Sequence, residues 1–245
     1  MYANPDGTTT AESYAGPVRV EQADGTWRTV DTGLTEVGPH LEPQVSPADV
    51  TVSDGGDRAL VSVTRGSKVF GLDWPEKLPA PTVDGDTASY DAGDDATLTV
   101  KALSPGFEQS VVLDKAPTEP VVYRIPVHAD GLTLSQADSG HLLLKDADGK
   151  LVAEAPAPMM WDSSEDKASG EPEHRAQVDT KVETADDGSQ TLVLTPDPAF
   201  LADSDLAHPV TVDPTSTLAV TTDTWLQTPD CREPMTRART RPARI

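Results

Sequence analysis

The sequence predicts an all-β chain: antiparallel sheets packed as one or two sandwich-like lobes, with one short helix near residues 198–206. Three observations carry this. Short runs rich in Val, Thr and Leu alternate with polar residues at period two. Turn dipeptides such as Asp24-Gly25, Asp84-Gly85, Asp148-Gly149 and Asp187-Gly188 punctuate those runs. The 22 Pro and 17 Gly among 245 residues break up anything longer. Aromatic residues make up only 4%, so the core must be built from Val, Leu and Ala.

The elements follow in order. Val18–Glu21, the turn at Asp24-Gly25 and Thr26–Asp31 read as a hairpin, with Trp27 expected in the core. Residues 36–49 hold Pro39, Pro43 and Pro47 and read as a connecting loop. Strands resume at Val50–Ser53, Leu60–Thr64 and Val69–Asp73. Thr82-Val83 and Thr87–Tyr90 form a hairpin, Thr97–Ala102 a half-buried strand, and Pro105-Gly106 turns into Phe107–Leu113. The proline-flanked stretch Ala116–Pro120 is the expected boundary between a first lobe, residues 1–116, and a second, residues 121–216.

The second lobe opens on Val121–Ile125. Leu132–Gln136, His141–Lys145 and Leu151–Ala155 make a meander. Ala155-Pro156-Ala157-Pro158 then holds the chain extended without ladder donors, as at a strand exit or sheet edge, and Met159-Met160-Trp161 reads as a packing anchor. From Arg175 to Glu183 the alternation is unbroken, with Ala176, Val178, Thr180 and Val182 on one face: a strand with one wet side. Thr191–Thr195 returns. Asp197-Pro198 is a helix start, a capping carboxylate followed by a proline at the first helical position, and Pro209 limits the helix to about two turns. Val210–Asp213 closes the lobe. Residues 231–245 depart in composition, with five Arg and one Glu, and read as a disordered basic tail or the product of a frameshift.

Net charge is −22, and residues 1–230 carry 14 basic against 40 acidic groups. Such a surface repels phosphate backbones and anionic lipid, so neither nucleic acid nor a membrane surface is an expected partner. No run is long and apolar enough to span a bilayer. Met1–Pro5 lacks the charged and apolar regions of a signal peptide. Cys231 is the lone cysteine, which excludes an internal disulfide.

No catalytic constellation stands out. There is no Gly-x-Ser-x-Gly elbow and no phosphate-cradling glycine loop. His40, His128, His141, His174 and His208 are scattered, without the pairing a metal site needs. Asp84-Gly85-Asp86, Asp91 with Asp94-Asp95, Asp146-x-Asp148 and Asp186-Asp187 offer oxygens to calcium, but none continues into a twelve-residue binding loop, and turns explain them. No resident cofactor is expected.

Several stretches, in this order, resemble the N-terminal region of secreted actinobacterial proteins with RHS/YD repeats, which are polymorphic-toxin-like. They are Tyr2–Thr8, Gly16-Pro17-Val18, Asp24–Trp27, Leu72–Pro75, Ala155–Ser164 and His208–Pro214. The similarity covers most of residues 2–228. Thr222–Gln227 resembles the first strand of a DNRLRE module, itself similar to carbohydrate-binding modules, so residues 217–230 read as its truncated start. The resemblance implies a secreted or cell-surface protein with RHS-repeat or DNRLRE modules downstream as its partners. It carries over no catalytic residue.

The functional expectation is therefore a non-enzymatic structural or presentation module of an RHS-type protein. The alternative is a glycan or cell-wall binding module stacking sugars on Trp74, Trp161 or Trp225. A secreted hydrolase, which needs convergent carboxylates or a Ser/His pair, is the remotest reading.

Overall fold

In the computed structural model the described residues are 2–3, 9–10, 17–215 and 219–220. Two large antiparallel sheets dominate. The eight-stranded sheet runs, in spatial order, Asp179–Thr184, Gln190–Thr195, Tyr123–Asp130, Lys68–Asp73, Ala59–Arg65, Asp49–Ser53, His40–Val45 and Asp31–Val37. The seven-stranded sheet runs Thr82–Asp84, Thr87–Asp91, Ala96–Leu103, Gly106–Leu113, Val210–Thr215, Met159–Trp161 and Arg175–Gln177. A smaller sheet holds Leu132–Gln136, Leu142–Asp146, Leu151–Ala155 and the two-residue strand Ala219–Val220. The expected all-β class, antiparallel and sandwich-like with one short helix, is what the chain adopts.

The sheets interlock through side chains the alternation points inward. Phe70 of the larger sheet stacks on Phe107 of the other, ring centroids 6.3 Å apart and planes 8° from parallel. The Tyr90 hydroxyl crosses from the second sheet to the first, donating to the Ser53 carbonyl at 2.6 Å. Burial pushes that phenol well above its ordinary range, helped by the nearby Asp54 charge. Gln190 clamps the small sheet to the large one: its amide oxygen accepts from Leu134 N–H at 2.9 Å and its amide nitrogen donates to Leu134 C=O at 2.8 Å.

Phe107, Gln109, Val111 and Leu113 share the inward face of one strand, and Gln109 is fully buried between apolar neighbours. Neither its amide oxygen nor its nitrogen has a hydrogen-bond partner among the described residues. An unmet buried amide costs about 1–3 kcal/mol. Gln109→Met keeps the unbranched shape and removes the polar atoms. It is expected to raise the urea midpoint by an amount worth about 1–2 kcal/mol, with an unchanged denaturant slope. A lowered midpoint would mean the amide is satisfied in solution.

Several sequence expectations are corrected. Residues 36–49 are not a loop, since His40–Val45 is a strand. Pro43 is tolerated because pairing with Asp49–Ser53 stops after His40↔Ser53 and Leu41↔Val52, so no ladder bond is demanded of it on that side. Trp27 is not core: it stands 53% exposed on the small hairpin Arg19–Glu21/Trp27–Thr29, which forms its own two-stranded sheet. The prolines after Ala155 do mark a strand exit, since the strand Leu151–Ala155 ends there, and Met159–Trp161 then lies between Val210–Thr215 and Arg175–Gln177, with Met160 fully buried as the expected anchor.

The alternation from Arg175 is one stretch but two strands. Arg175–Gln177 pairs in the seven-stranded sheet and Asp179–Thr184 in the eight-stranded one. The chain changes sheet at the buried Val178. Nor is Ala116–Pro120 a break between lobes. Tyr123–Asp130 pairs with Lys68–Asp73, and Val210–Thr215 with Gly106–Leu113, so both large sheets draw strands from either side of it. The helix is Pro198–Leu201, capped by Asp197 as expected but only four residues long. Trp225, residues 221–230 and the tail 231–245 lie outside the described residues.

Candidate functional site

The interior strand Met159–Trp161 leads into the one carboxylate that, among the described residues, is fully enclosed against a histidine. Met160 and Asp162 share parity, so the face that buries Met160 carries Asp162 inward as well. The Asp162 side chain has no exposed surface. Its oxygens accept from the Ser164 hydroxyl, from Ala207 N–H at 3.0 Å, from His174 Nδ1 at 3.0 Å and, at 3.4 Å, from His174 N–H. Around it, Ser163 donates its N–H to Ala207 C=O at 2.9 Å and its hydroxyl to the carbonyls of Ala207 and His208. The strand exit, the return before Arg175 and the connection after the helix therefore meet on one aspartate.

The electrostatics follow from this enclosure. Burial by itself would raise the Asp162 carboxyl, but the hydrogen bonds from Ser164, Ala207 and His174 hold it far below the ordinary carboxylate range. His174 moves the other way. Its bond to Asp162 raises its pKa above the usual histidine value, against a desolvation effect and with help from the charges of Asp162, Glu173 and Asp203. The imidazole is 38% exposed. With Nδ1 engaged by Asp162, Nε2 has no protein partner among the described residues and is the atom able to exchange a proton with an outside molecule. The serine hydroxyls face Asp162 and backbone carbonyls, so no Ser–His nucleophile pair exists here.

A pH dependence follows. His174 has a raised folded pKa, so its contribution to stability is complete below the unfolded histidine value and is lost as pH rises through the folded one. Asp162 has a depressed folded pKa, so its contribution is present above the unfolded carboxylate value and is lost as pH falls through the folded one. Between those limits both contribute. Melting temperature measured against pH is expected to decline on the alkaline side of the histidine range, and His174→Gln is expected to remove that decline.

The tryptophans singled out for sugar stacking fare differently. Trp74 is 8% exposed with its ring against Tyr123, centroids 5.9 Å apart, so it offers no open face. Burial pushes the Tyr123 phenol up to about 12. Trp161 is half-buried in its interior strand, paired with Thr211 and Arg175. Asp-rich turns use their carboxylates internally: Asp91 Oδ1 accepts from Gly93 N–H, Asp146 Oδ1 from Asp148 and Lys150 N–H, and Asp187 Oδ1 from Ser189. Among the described residues no three His, Cys, Asp or Glu converge as a metal site.

Histidine–carboxylate pairing is the feature sequence reasoning missed. His40 meets Glu42 at 2.8 Å, His128 meets Asp73 at 2.7 Å, His141 meets Glu154 at 2.6 Å and His174 meets Asp162 at 3.0 Å. Only His40-x-Glu42 was readable, since period two puts both on one strand face. The others depend on cross-strand register or loop closure.

Comparison with known proteins finds partial relatives. Over 95 residues, 39% of this chain, it is 36% identical to the tRNA nuclease WapA of Bacillus subtilis (strain 168). It matches to the same extent the tRNA3(Ser)-specific nuclease WapA of Bacillus spizizenii and the tRNA(Glu)-specific nuclease WapA of Bacillus subtilis subsp. natto. The match spans 4% of the length of each relative. No family model matches the chain, and no solved structure matches it. The likeness overturns the expected non-catalytic structural or presentation module and its glycan-binding alternative, because the link it supplies is to tRNA nucleases. It gives no support to the expectation that the chain is not an enzyme.

Proposed function

We propose that this chain belongs to a tRNA-cleaving toxin of the WapA kind, and that cut tRNA is the product of the polypeptide it serves. The observation that carries this is the 36% identity to three such nucleases. The setting that the sequence resemblance implies agrees with it: a polymorphic toxin, exported or displayed at the cell surface, with RHS repeats and a DNRLRE-like module downstream. Physical chemistry shapes the reading further. A net charge of −22 opposes a phosphate backbone, so on this reading tRNA is gripped by more basic parts of the same polypeptide. Two of the relatives match equally although their names give them different tRNA targets, one for serine and one for glutamate, which supports a choice of tRNA made outside the matched stretch. Within this chain, His174 oriented by Asp162 is the group best placed to move a proton.

The test is to purify the gene product that contains this chain and incubate it with total tRNA. Discrete tRNA fragments on a denaturing gel are the expected result, and tRNA left intact at equimolar protein overturns the reading. The same assay on His174→Ala reports whether this chain supplies a catalytic group.

A further inference from the structure

The ladder between His40–Val45 and Asp49–Ser53 holds at His40↔Ser53 and Leu41↔Val52 and goes no further. Continuing that register would set Pro43 opposite Val50 and Gln44 opposite Asp49, but Pro43 brings no N–H to a ladder. The two strands part instead, and a cleft of about 250 Å³ opens between them. Both strands line it. So does Gln22, at the turn of the small hairpin, where it accepts from Gly25 N–H and donates to Thr26 C=O.

The lining is rich in acceptors. Glu42 and Asp49 contribute carboxylates, Gln22 and Gln44 amides, Ser46 and Thr51 hydroxyls. One Glu42 oxygen is held by His40 at 2.8 Å, which leaves the other. Asp49 is exposed, and its carboxylate has no hydrogen bond or ion pair among the described residues. No lysine, arginine or histidine is among the described residues that line the cleft. A phosphate, or the carboxylate of a free amino acid, therefore meets no counter-charge there, on a chain of net charge −22. A guanidinium does. Its planar fork of N–H donors suits acceptors spread in several directions, whereas an ammonium is one compact point.

We propose that this cleft docks an arginine side chain of a partner polypeptide, with Asp49 and Glu42 as its counter-charges and the partner's backbone lying across the parted strands. The space suits one long side chain and leaves outside the backbone that bears it. A peptide arginine is the occupant, and not the free amino acid, because the peptide bond removes the carboxylate that the cleft would repel. This does not depend on the nuclease reading.

The test titrates the 245-residue chain, isotope-labelled for amide NMR, at about 150 mM salt so that diffuse attraction to the acidic surface is screened. The probes are acetyl-Gly-Arg-Gly-amide, the same peptide with lysine, and free arginine. The arginine peptide is expected to give saturable shifts confined to the cleft, at the amides of Gln22, Gln44, Asp49 and Thr51. The lysine peptide is expected to bind about three-fold or more weakly, and free arginine more weakly than the arginine peptide. Asp49→Asn keeps the side-chain shape and is expected to weaken the arginine peptide about five-fold. Asp148→Asn removes the same charge from an exposed turn of the small sheet and is expected to leave binding unchanged. The spectrum of each variant shows directly that it is folded. Shifts that fail to saturate or that spread over the acidic surface overturn the proposal, as does equal weakening by Asp49→Asn and Asp148→Asn. Free arginine binding as tightly as the peptide overturns it too, since the cleft would then be a site for the amino acid.

Discussion

Asp162→Ala is expected to lower the stability of the protein by about 3 kcal/mol, read as a drop in the urea midpoint. The reason is what the carboxylate leaves behind. Ala207 N–H, His174 Nδ1 and the Ser164 hydroxyl all lose their acceptor at once, in a place where the Asp162 side chain has no exposed surface. Stranding buried donors costs more than the net worth of the bonds, because the unfolded chain satisfies them with water. Asp162→Asn keeps one acceptor oxygen but turns an amide N–H₂ toward the other donors, so it is expected to fall between Ala and wild type. Asp166→Ala is the control. Asp166 accepts from Ala168 N–H and from the Ser169 N–H and hydroxyl, a comparable set of bonds, but on the surface. Its loss is expected to change the midpoint little, because water replaces what is removed. Equal effects at the two positions would show that Asp162 is not enclosed in solution.

The same contrast explains how much could be read from the sequence. Period-two alternation and Asp-Gly turns were sufficient to place Thr82–Asp84, Thr87–Asp91, Ala96–Leu103 and Gly106–Leu113, because each of those strands pairs with its neighbour in sequence. Alternation tells which face a residue takes but not which sheet receives it. Arg175–Thr184 therefore read as one strand, although Val178 carries it from one sheet to the other. Trp27 followed the same limit: its alternation was right, but the hairpin that bears it forms a separate two-stranded sheet and leaves the ring exposed. His40–Val45 was hidden by Pro43, since a proline counts against a strand unless the neighbouring ladder has already ended. The candidate site was half legible. Met160 was marked as an anchor, and its parity with Asp162 followed from the strand. That His174 and Ala207 close on Asp162 depends on two loops whose return positions no local pattern encodes.

Phe107→Ala tests the contact between the sheets and is expected to cost about 3–5 kcal/mol. Phe107 is 1% exposed, and its cross-strand partner is Ala102, a side chain too small to move into the space a missing ring would leave. On its other side the ring stacks on Phe70 of the opposite sheet, and each of these residues belongs to a sheet whose backbone is fixed by its own ladder. Collapse around the gap is restricted on both sides, which places the cost toward the upper end of the range for such truncations. Phe107→Leu refills most of the volume and is expected to cost less than half as much. The decisive measurement is the double-mutant cycle with Phe70→Ala. Because the rings touch, removing both is expected to cost less than the sum of the single losses, by about 1 kcal/mol. Strict additivity would mean that the two sheets meet through other side chains, and that each phenylalanine is buried by its own sheet alone.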